Sequence, residues 1–179
     1  MKRIFLLSVL VTLVAGALSC GSREQNGANG DTPTEAYKRL FAAVKSGSPE
    51  AVRAEITRKT YEFAATTAKQ MGKTAEEQIK YGMTATTYAE NLPTTRDERI
   101  KDNMAALEVW NAKDSRWEDL PFMIEDGKWK LAYGEAWGRT WHSPGKGRDQ
   151  REKEAANAID QPSGPSTGVN VNSKPSPTK

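Results

Sequence analysis

Apolar residues change their spacing several times along this chain, and each change marks a boundary. From Ile4 to Leu18 they run almost unbroken, interrupted only by Ser8, Thr12 and Gly16. That run is short of the roughly 18–20 residues a membrane-spanning helix needs. From Gly21 to Asp31 there is no large apolar residue at all. Such a stretch buries too little to order itself, and it predicts a flexible tether of roughly 17–20 Å.

At Thr32 a helical period begins. Thr32-Pro33-Thr34-Glu35 has the form of a capping box, with Pro33 supplying the first helical dihedral. Tyr37, Leu40, Phe41 and Val44 then recur at the spacing of one buried helix face, and Gly47 ends the run. Ser48-Pro49-Glu50 opens a second helix, with Ala51, Val52 and Ile56 turned inward. A third spans Lys59 to Met71, with Tyr61, Ala64, Ala65, Ala68 and Met71 on one side and Gly72 at its end. Thr74-Ala75-Glu76-Glu77 is another capping box, opening a short helix through Ile79. Residues 84–90 add a turn or two before Pro93.

From Arg96 the period moves toward two. Ala105, Leu107 and Val109 alternate with Ala106, Glu108 and Trp110. A second extended segment runs from Arg116 to Ile124, with Pro121 marking a bulge or an edge position. Asp126-Gly127 is a hairpin signal, after which Trp129, Leu131 and Tyr133 alternate with Lys130 and Ala132. The expectation is an α+β fold: three or four N-terminal helices packed on a curved antiparallel sheet of three strands. From Ser143 the core pattern stops. Residues 149–159 predict a short exposed helix. Residues 161–179, rich in Pro, Ser, Gly, Asn and Thr, predict a disordered tail.

The amino end carries an address. Lys2 and Arg3 precede the apolar run, and Ala17-Leu18-Ser19-Cys20-Gly21 follows it. This resembles the processing site of bacterial lipoproteins, departing from it at Ala17, where Leu or Val is usual. The resemblance implies a signal peptide over 1–19 and acylation of Cys20, with two or three chains carried by that one residue. Each buried CH₂ adds roughly 0.8 kcal/mol, so several chains make a lasting anchor. Gly21 in place of Asp leans toward the periplasmic face of an outer membrane, where the organism has one. The other reading of Cys20 is a free thiol left by an ordinary secretory signal. The resulting organisation is 1–19 signal peptide, 20–31 lipidated cysteine and tether, 32–142 folded domain, and 143–179 polar tail.

Composition narrows the chemistry. Without Lys2 and Arg3, 24 basic residues face 23 acidic ones, a net charge of +1. A balance so close to neutral offers no electrostatic case for nucleic acid. One cysteine and one histidine, Cys20 and His142, exclude an intrachain disulfide and make a Cys/His zinc site implausible. No glycine-rich nucleotide loop and no serine-nucleophile elbow is present, and Gly145-Lys146-Gly147-Arg148 is too short to cradle a phosphate. No cofactor and no metal is therefore expected. Asp97, Asp102, Glu108 and Asp119 lie on or near strands. Any of them turned inward would be an acid–base candidate, although strand carboxylates usually face solvent. His142 reads as a surface or hinge histidine. Trp137, Arg139 and Trp141 read either as the edge of a core or as a platform for a cell-wall glycan.

Two further strings carry a second resemblance: Leu120-Pro121-Phe122 and Asp126-Gly127-Lys128-Trp129-Lys130-Leu131. With the helix from Pro33 to Val44, they are similar to the nuclear transport factor 2-like superfamily, the cystatin-like α+β cone. The likeness covers Thr32 to Trp141. It implies a sheet wrapped around a long helix with an apolar pocket at the open end. Trp129, Leu131 and Tyr133, facing Tyr37, Leu40, Phe41 and Val44, would then be core or pocket wall. The functional expectation is a lipid-anchored envelope protein with a non-enzymatic domain that binds a small ligand, a glycan or an envelope protein. A pocket enzyme of the isomerase or dehydratase type and a structural subunit of an envelope complex are the alternatives.

Overall fold

The computed structural model describes residues 30–159. The expected signal peptide, Cys20 and residues 160–179 lie outside that range. Helices α1 (Pro33–Ser46), α2 (Pro49–Ala54), α3 (Arg58–Gln70) and α4 (Ala75–Ile79) come first, then a 3₁₀ turn (Ala85–Tyr88). Strands β1 (Thr95–Lys101), β2 (Met104–Asn111), β3 (Arg116–Glu125) and β4 (Lys128–Leu131) follow, and helices α5 (Tyr133–Trp137) and α6 (Arg148–Ile159) close the described chain. The strands form one antiparallel sheet in sequence order. The α+β class read from the sequence is the one observed.

Tyr37 and Leu40 of α1 pack against Ala105, Leu107 and Val109 of β2, Leu120 and Phe122 of β3, and Trp129 and Leu131 of β4. Thr32 caps α1 by accepting from the Glu35 N–H at 3.2 Å. The reciprocal half of that box does not form, because the Glu35 carboxylate turns to Lys38 at 2.7 Å. The box at Thr74 and Glu77 closes on both sides. Gly47 takes φ +72° after α1, the left-handed stop that glycine allows at no steric cost.

Asp31, read from the sequence as the end of the tether, belongs to the fold. Its carboxylate accepts from Arg39 at 2.5 and 3.2 Å and from the Trp129 backbone N–H at 3.0 Å. Hydropathy cannot register a polar residue whose partner lies 98 positions away.

The sheet has four strands, not three. β1 reads Thr-Arg-Asp-Glu-Arg-Ile-Lys and shows no apolar alternation. Its arginines join an ion cluster on the outer face of the sheet, and a bulge interrupts its register between Arg96 and Arg99, with Asp97 at φ +51°. β4 stops at Leu131, and Tyr133 opens α5 instead of extending the strand. The free edge of β4 is covered by the stretch between α2 and α3. The Thr57 N–H donates to the Leu131 carbonyl and the Leu131 N–H to the Glu55 carbonyl, each at 3.0 Å, which removes an edge open to other chains.

The buried stripe of α3 is Thr60, Ala64 and Ala68, while Met71 stands 57 % exposed. Thr60 tolerates burial because its hydroxyl is satisfied, meeting the Leu131 carbonyl at 3.2 Å and the Gly134 N–H at 3.0 Å.

The exposed helix expected over 149–159 is α6. It buries no residue, yet it is tied to the sheet. The Glu108 carboxylate accepts from the Arg148 N–H at 2.8 Å and from Arg96 at 2.5 Å. Arg96 also pairs with Asp149, and Arg151 with Asp97 at 2.5 Å. A carboxylate at the first turn of a helix meets unpaired N–H groups and the positive end of the dipole. Burial raises the Asp97 carboxyl, but Arg151 and Arg99 outweigh it and hold the group below the usual carboxylate range.

The contribution of that pairing is therefore present near neutrality and lost as pH falls through the depressed folded value, below the ordinary Asp value of about 3.9. Screening acts on the same contacts, since the Debye length shrinks from about 10 to 3 Å between 0.1 and 1 M salt. Hydrogen-exchange protection over Arg148–Ile159 should fall in acid and in 1 M NaCl before that of β2 and β3 does. Loss in step with the sheet would show that something else holds α6.

Candidate functional site

A groove opens where α3, α4, the 3₁₀ turn and α5 meet. Phe63, Gln78, Met83, Thr84, Ala85, Tyr88, Tyr133 and Trp137 line a space of about 370 Å³. It runs into a second depression of about 450 Å³, which shares Met83, Thr84, Ala85 and Tyr133 and adds Arg116, Trp117, Glu118, Asp119 and Leu120 from β3.

Local chemistry sets each wall. Thr84 caps the 3₁₀ turn by accepting from the Thr86 N–H at 3.1 Å, and the two hydroxyls share a 2.6 Å hydrogen bond. The Thr87 hydroxyl holds the turn to the Thr84 carbonyl at 2.8 Å and also meets the Tyr81 carbonyl. These bonds present Tyr88, whose ring stacks on Tyr81 at 5.1 Å.

On the opposite wall, Glu135 anchors α5 from within. Its buried carboxylate accepts from the Thr57 hydroxyl at 2.8 Å and lies 3.4 Å from that of Thr60. Two residues on, and so turned to the other side of the helix, Trp137 stands 70 % exposed, and Tyr88 is 63 % exposed. The Phe63 ring lies 5.5 Å from that of Trp137 and 6.1 Å from that of Tyr133.

The β3 end of the groove is polar. Glu118 pairs in register with Val109, two positions before Leu120, so it shares the helix-facing side of the sheet. It accepts from the Asn111 amide at 2.8 Å and from Arg116 at 3.0 Å. Behind it lies the fully buried Tyr37, whose hydroxyl has no hydrogen-bond partner among the described residues. Burial pushes that hydroxyl up to about 12; the neighbouring Thr86 hydroxyl opposes the rise and the Glu118 charge adds to it.

Of the carboxylates singled out by sequence, Asp119 alone borders the second depression, at its rim and held by Arg99; the others lie elsewhere. Glu108, Asp97 and Asp119 join Arg96 and Arg99 on the outer face, with Asp119 2.5 Å from Arg99. Asp102 is exposed in the β1–β2 turn at φ +55°. His142 is exposed beyond α5. Of the aromatic and basic group near the end of the domain, Trp137 enters the groove, Arg139 is exposed, and Trp141 is half-buried with an unpartnered indole N–H. Trp129 and Leu131 are core, while Tyr133 reaches the groove wall. Cys20 lies outside the described residues.

Sequence reasoning missed Phe63, Gln78, Thr84, Tyr88 and Glu118. Glu118 carried a weak signal, since its parity with Leu120 and Phe122 places it on the inner side of the strand.

A third hollow of about 360 Å³ near the start of α3 is lined by Arg53, Thr57, Arg58, Tyr61, Glu125 and Lys130 among others. The chain's own groups neutralise it. Glu125 accepts from the Arg58 N–H at 3.0 Å, Lys130 pairs with Asp126 at 2.9 Å, and Arg53 lies over the Tyr61 ring at 4.0 Å.

Among the described residues no group of three or more His, Cys, Asp or Glu side chains is placed to hold a metal ion. No helix among them is long and apolar enough to cross a membrane. No family model, no curated protein and no solved structure matches this chain.

Proposed function

We propose that this chain is a lipid-anchored cell-envelope protein whose α+β domain binds a carbohydrate chain in the aromatic groove. One observation carries the reading: Trp137 and Tyr88 stand largely exposed on a groove that Phe63 and Tyr133 also line. Aromatic rings held in water gain from any partner that covers their faces. A sugar ring offers a flat C–H face for such a ring and a fringe of hydroxyls. Gln78, Thr84, Arg116 and Glu118 supply donors and acceptors for that fringe. An acyl chain fits less well, because the groove is open and these polar groups line it.

The residues from Met1 to Cys20 support the anchor, which would hold the groove near the membrane surface. The helix-first order and the packing of α1 on a four-stranded antiparallel sheet support a nuclear transport factor 2-like cone.

The test is titration of the purified full chain with peptidoglycan fragments and with neutral oligosaccharides. Trp137→Ala should weaken binding at least tenfold, about 1.4 kcal/mol, and leave thermal unfolding nearly unchanged, since the ring is exposed. Cys20→Ala should move the protein from the detergent phase to the aqueous phase. Sugar affinity that ignores Trp137→Ala sinks the groove, and phase behaviour that ignores Cys20→Ala sinks the anchor.

One observation favours a pocket enzyme as a second reading. Glu118 is a carboxylate on the inner side with a hydrogen-bonding partner, Asn111. Turnover of a bound sugar that Glu118→Gln abolishes is the result that would choose it.

A further inference from the structure

The chain carries a segment chemically suited to the groove. Residues 160–179 read Asp-Gln-Pro-Ser-Gly-Pro-Ser-Thr-Gly-Val-Asn-Val-Asn-Ser-Lys-Pro-Ser-Pro-Thr-Lys. Pro162, Pro165, Pro175 and Pro177 each present a saturated ring with an apolar C–H face and carry no backbone N–H. Proline-rich segments are recognised in grooves walled by aromatic rings, and Trp137, Phe63, Tyr133 and Tyr88 provide such walls. Lys174 and Lys179 are the basic residues of the segment, and the β3 end of the groove carries two carboxylates, Glu118 and Asp119, against one guanidinium, Arg116.

Reach is no obstacle. The described domain ends at Ile159, on a helix tied to the sheet through Glu108 and Asp97. Twenty further residues span up to roughly 66–72 Å. A domain of this size has a radius of gyration of about 14 Å, so every point on its surface lies within reach.

We propose that residues 160–179 dock in the aromatic groove of their own domain and compete there with the external ligand. The docking stands on the groove and the segment alone; the competition rests on the sugar-binding reading above. A proline ring and a sugar ring demand the same thing of Trp137 and Tyr88, a flat aromatic face, so both cannot occupy one site. Tethering places the segment at an effective concentration on the order of millimolar. An intrinsic affinity too weak to matter between separate molecules is then enough to fill much of the groove.

The experiment compares the full chain with a full-length variant in which Pro162, Pro165, Pro175 and Pro177 are all replaced by alanine. The indole N–H resonance of Trp137, assigned with Trp137→Ala, should differ between the two chains. A synthetic peptide of residues 160–179, added to the variant, should move that resonance back toward its position in the unaltered chain. The alanine-substituted peptide should not. Sugar affinity of the variant should rise roughly two- to tenfold, the factor expected when a competitor of this effective concentration is removed.

Identical Trp137 resonances in the two chains overturn the docking. So does a difference that grows with protein concentration, which would mean contact between copies. A shifted resonance with no sugar binding by either chain keeps the docking and removes the carbohydrate reading.

Discussion

Replacing Glu108 by alanine is expected to cost about 3–5 kcal/mol of stability, the range found when one partner of a buried ion pair is removed. The Glu108 side chain is 7 % exposed, and both of its oxygens are engaged. One meets Arg96 at 2.5 Å; the other meets the Arg148 N–H at 2.8 Å and lies 3.6 Å from Arg99. Alanine would leave Arg99, itself 9 % exposed, with less opposing charge in a site that water barely reaches. It would also take the anion from the first turn of α6. Glu108→Gln keeps the shape and loses the charge, so it should fall between the two. Urea denaturation gives the stability change, and protection of Arg148–Ile159 gives the loss of α6. A cost under about 1 kcal/mol would mean that the arginines find other partners and that Glu108 does not organise the cluster.

Gly134→Ala is expected to damage stability and binding together. A Cβ at Gly134 would lie 2.6 Å from the Lys59 carbonyl carbon and 2.7 Å from the Thr60 nitrogen. Both are backbone atoms of α3 and have no rotamer to yield. The glycine is needed here for close approach of α5 to α3. Overpacking of this kind typically costs about 1–3 kcal/mol, and occasionally more. α5 would have to move away from α3, drawing Glu135 off Thr57 and Thr60 and carrying Trp137 out of the groove.

Thermal unfolding should therefore drop by several degrees, and sugar affinity should fall with it. Trp137→Ala should lower affinity alone, and the contrast separates a positioning effect from a lost contact. At Gly138 the nearest atoms to an added Cβ are the Gly134 oxygen at 3.1 Å and the flexible end of Lys59 at 3.3 Å. Gly138→Ala should accordingly be mild. Unfolding of Gly134→Ala within a degree of the parent would show that the two helices are not in contact at this point.

The groove was only partly legible before the structure. Trp137 stood out as an aromatic near the end of the domain, and Tyr133 as a residue of core or pocket. Phe63, Tyr88 and Gln78 did not, because they come from three elements separated by up to 25 positions and mean nothing singly. Of the acid–base candidates, Asp97, Glu108 and Asp119 are held on the outer face by arginines of β1 and α6, while Asp102 sits in the β1–β2 turn. The observed register puts Glu108 and Asp119 opposite one another on the outer side and Glu118 opposite the inward-facing Val109.

What the sequence determined by itself was local. Caps at Thr32, Ser48 and Thr74 act over three residues. The Tyr37–Leu40–Phe41 stripe, the alternation in β2 and the Asp126-Gly127 turn act over a few more. These short-range terms were enough to place the first helices, three of the four strands and the exposed final helix.

Only the tertiary structure decided the rest: β1 as a strand despite its charges, Asp31 as part of the fold, Thr60 rather than Met71 inside, and Glu108 buried. The physical reason is common to all four. A polar group leaves water, wholly or in part, only when a partner in the protein satisfies it. Glu108 finds Arg96 12 residues away, Thr60 the Leu131 carbonyl 71 away and Asp31 the Trp129 N–H 98 away, distances that no local pattern spans.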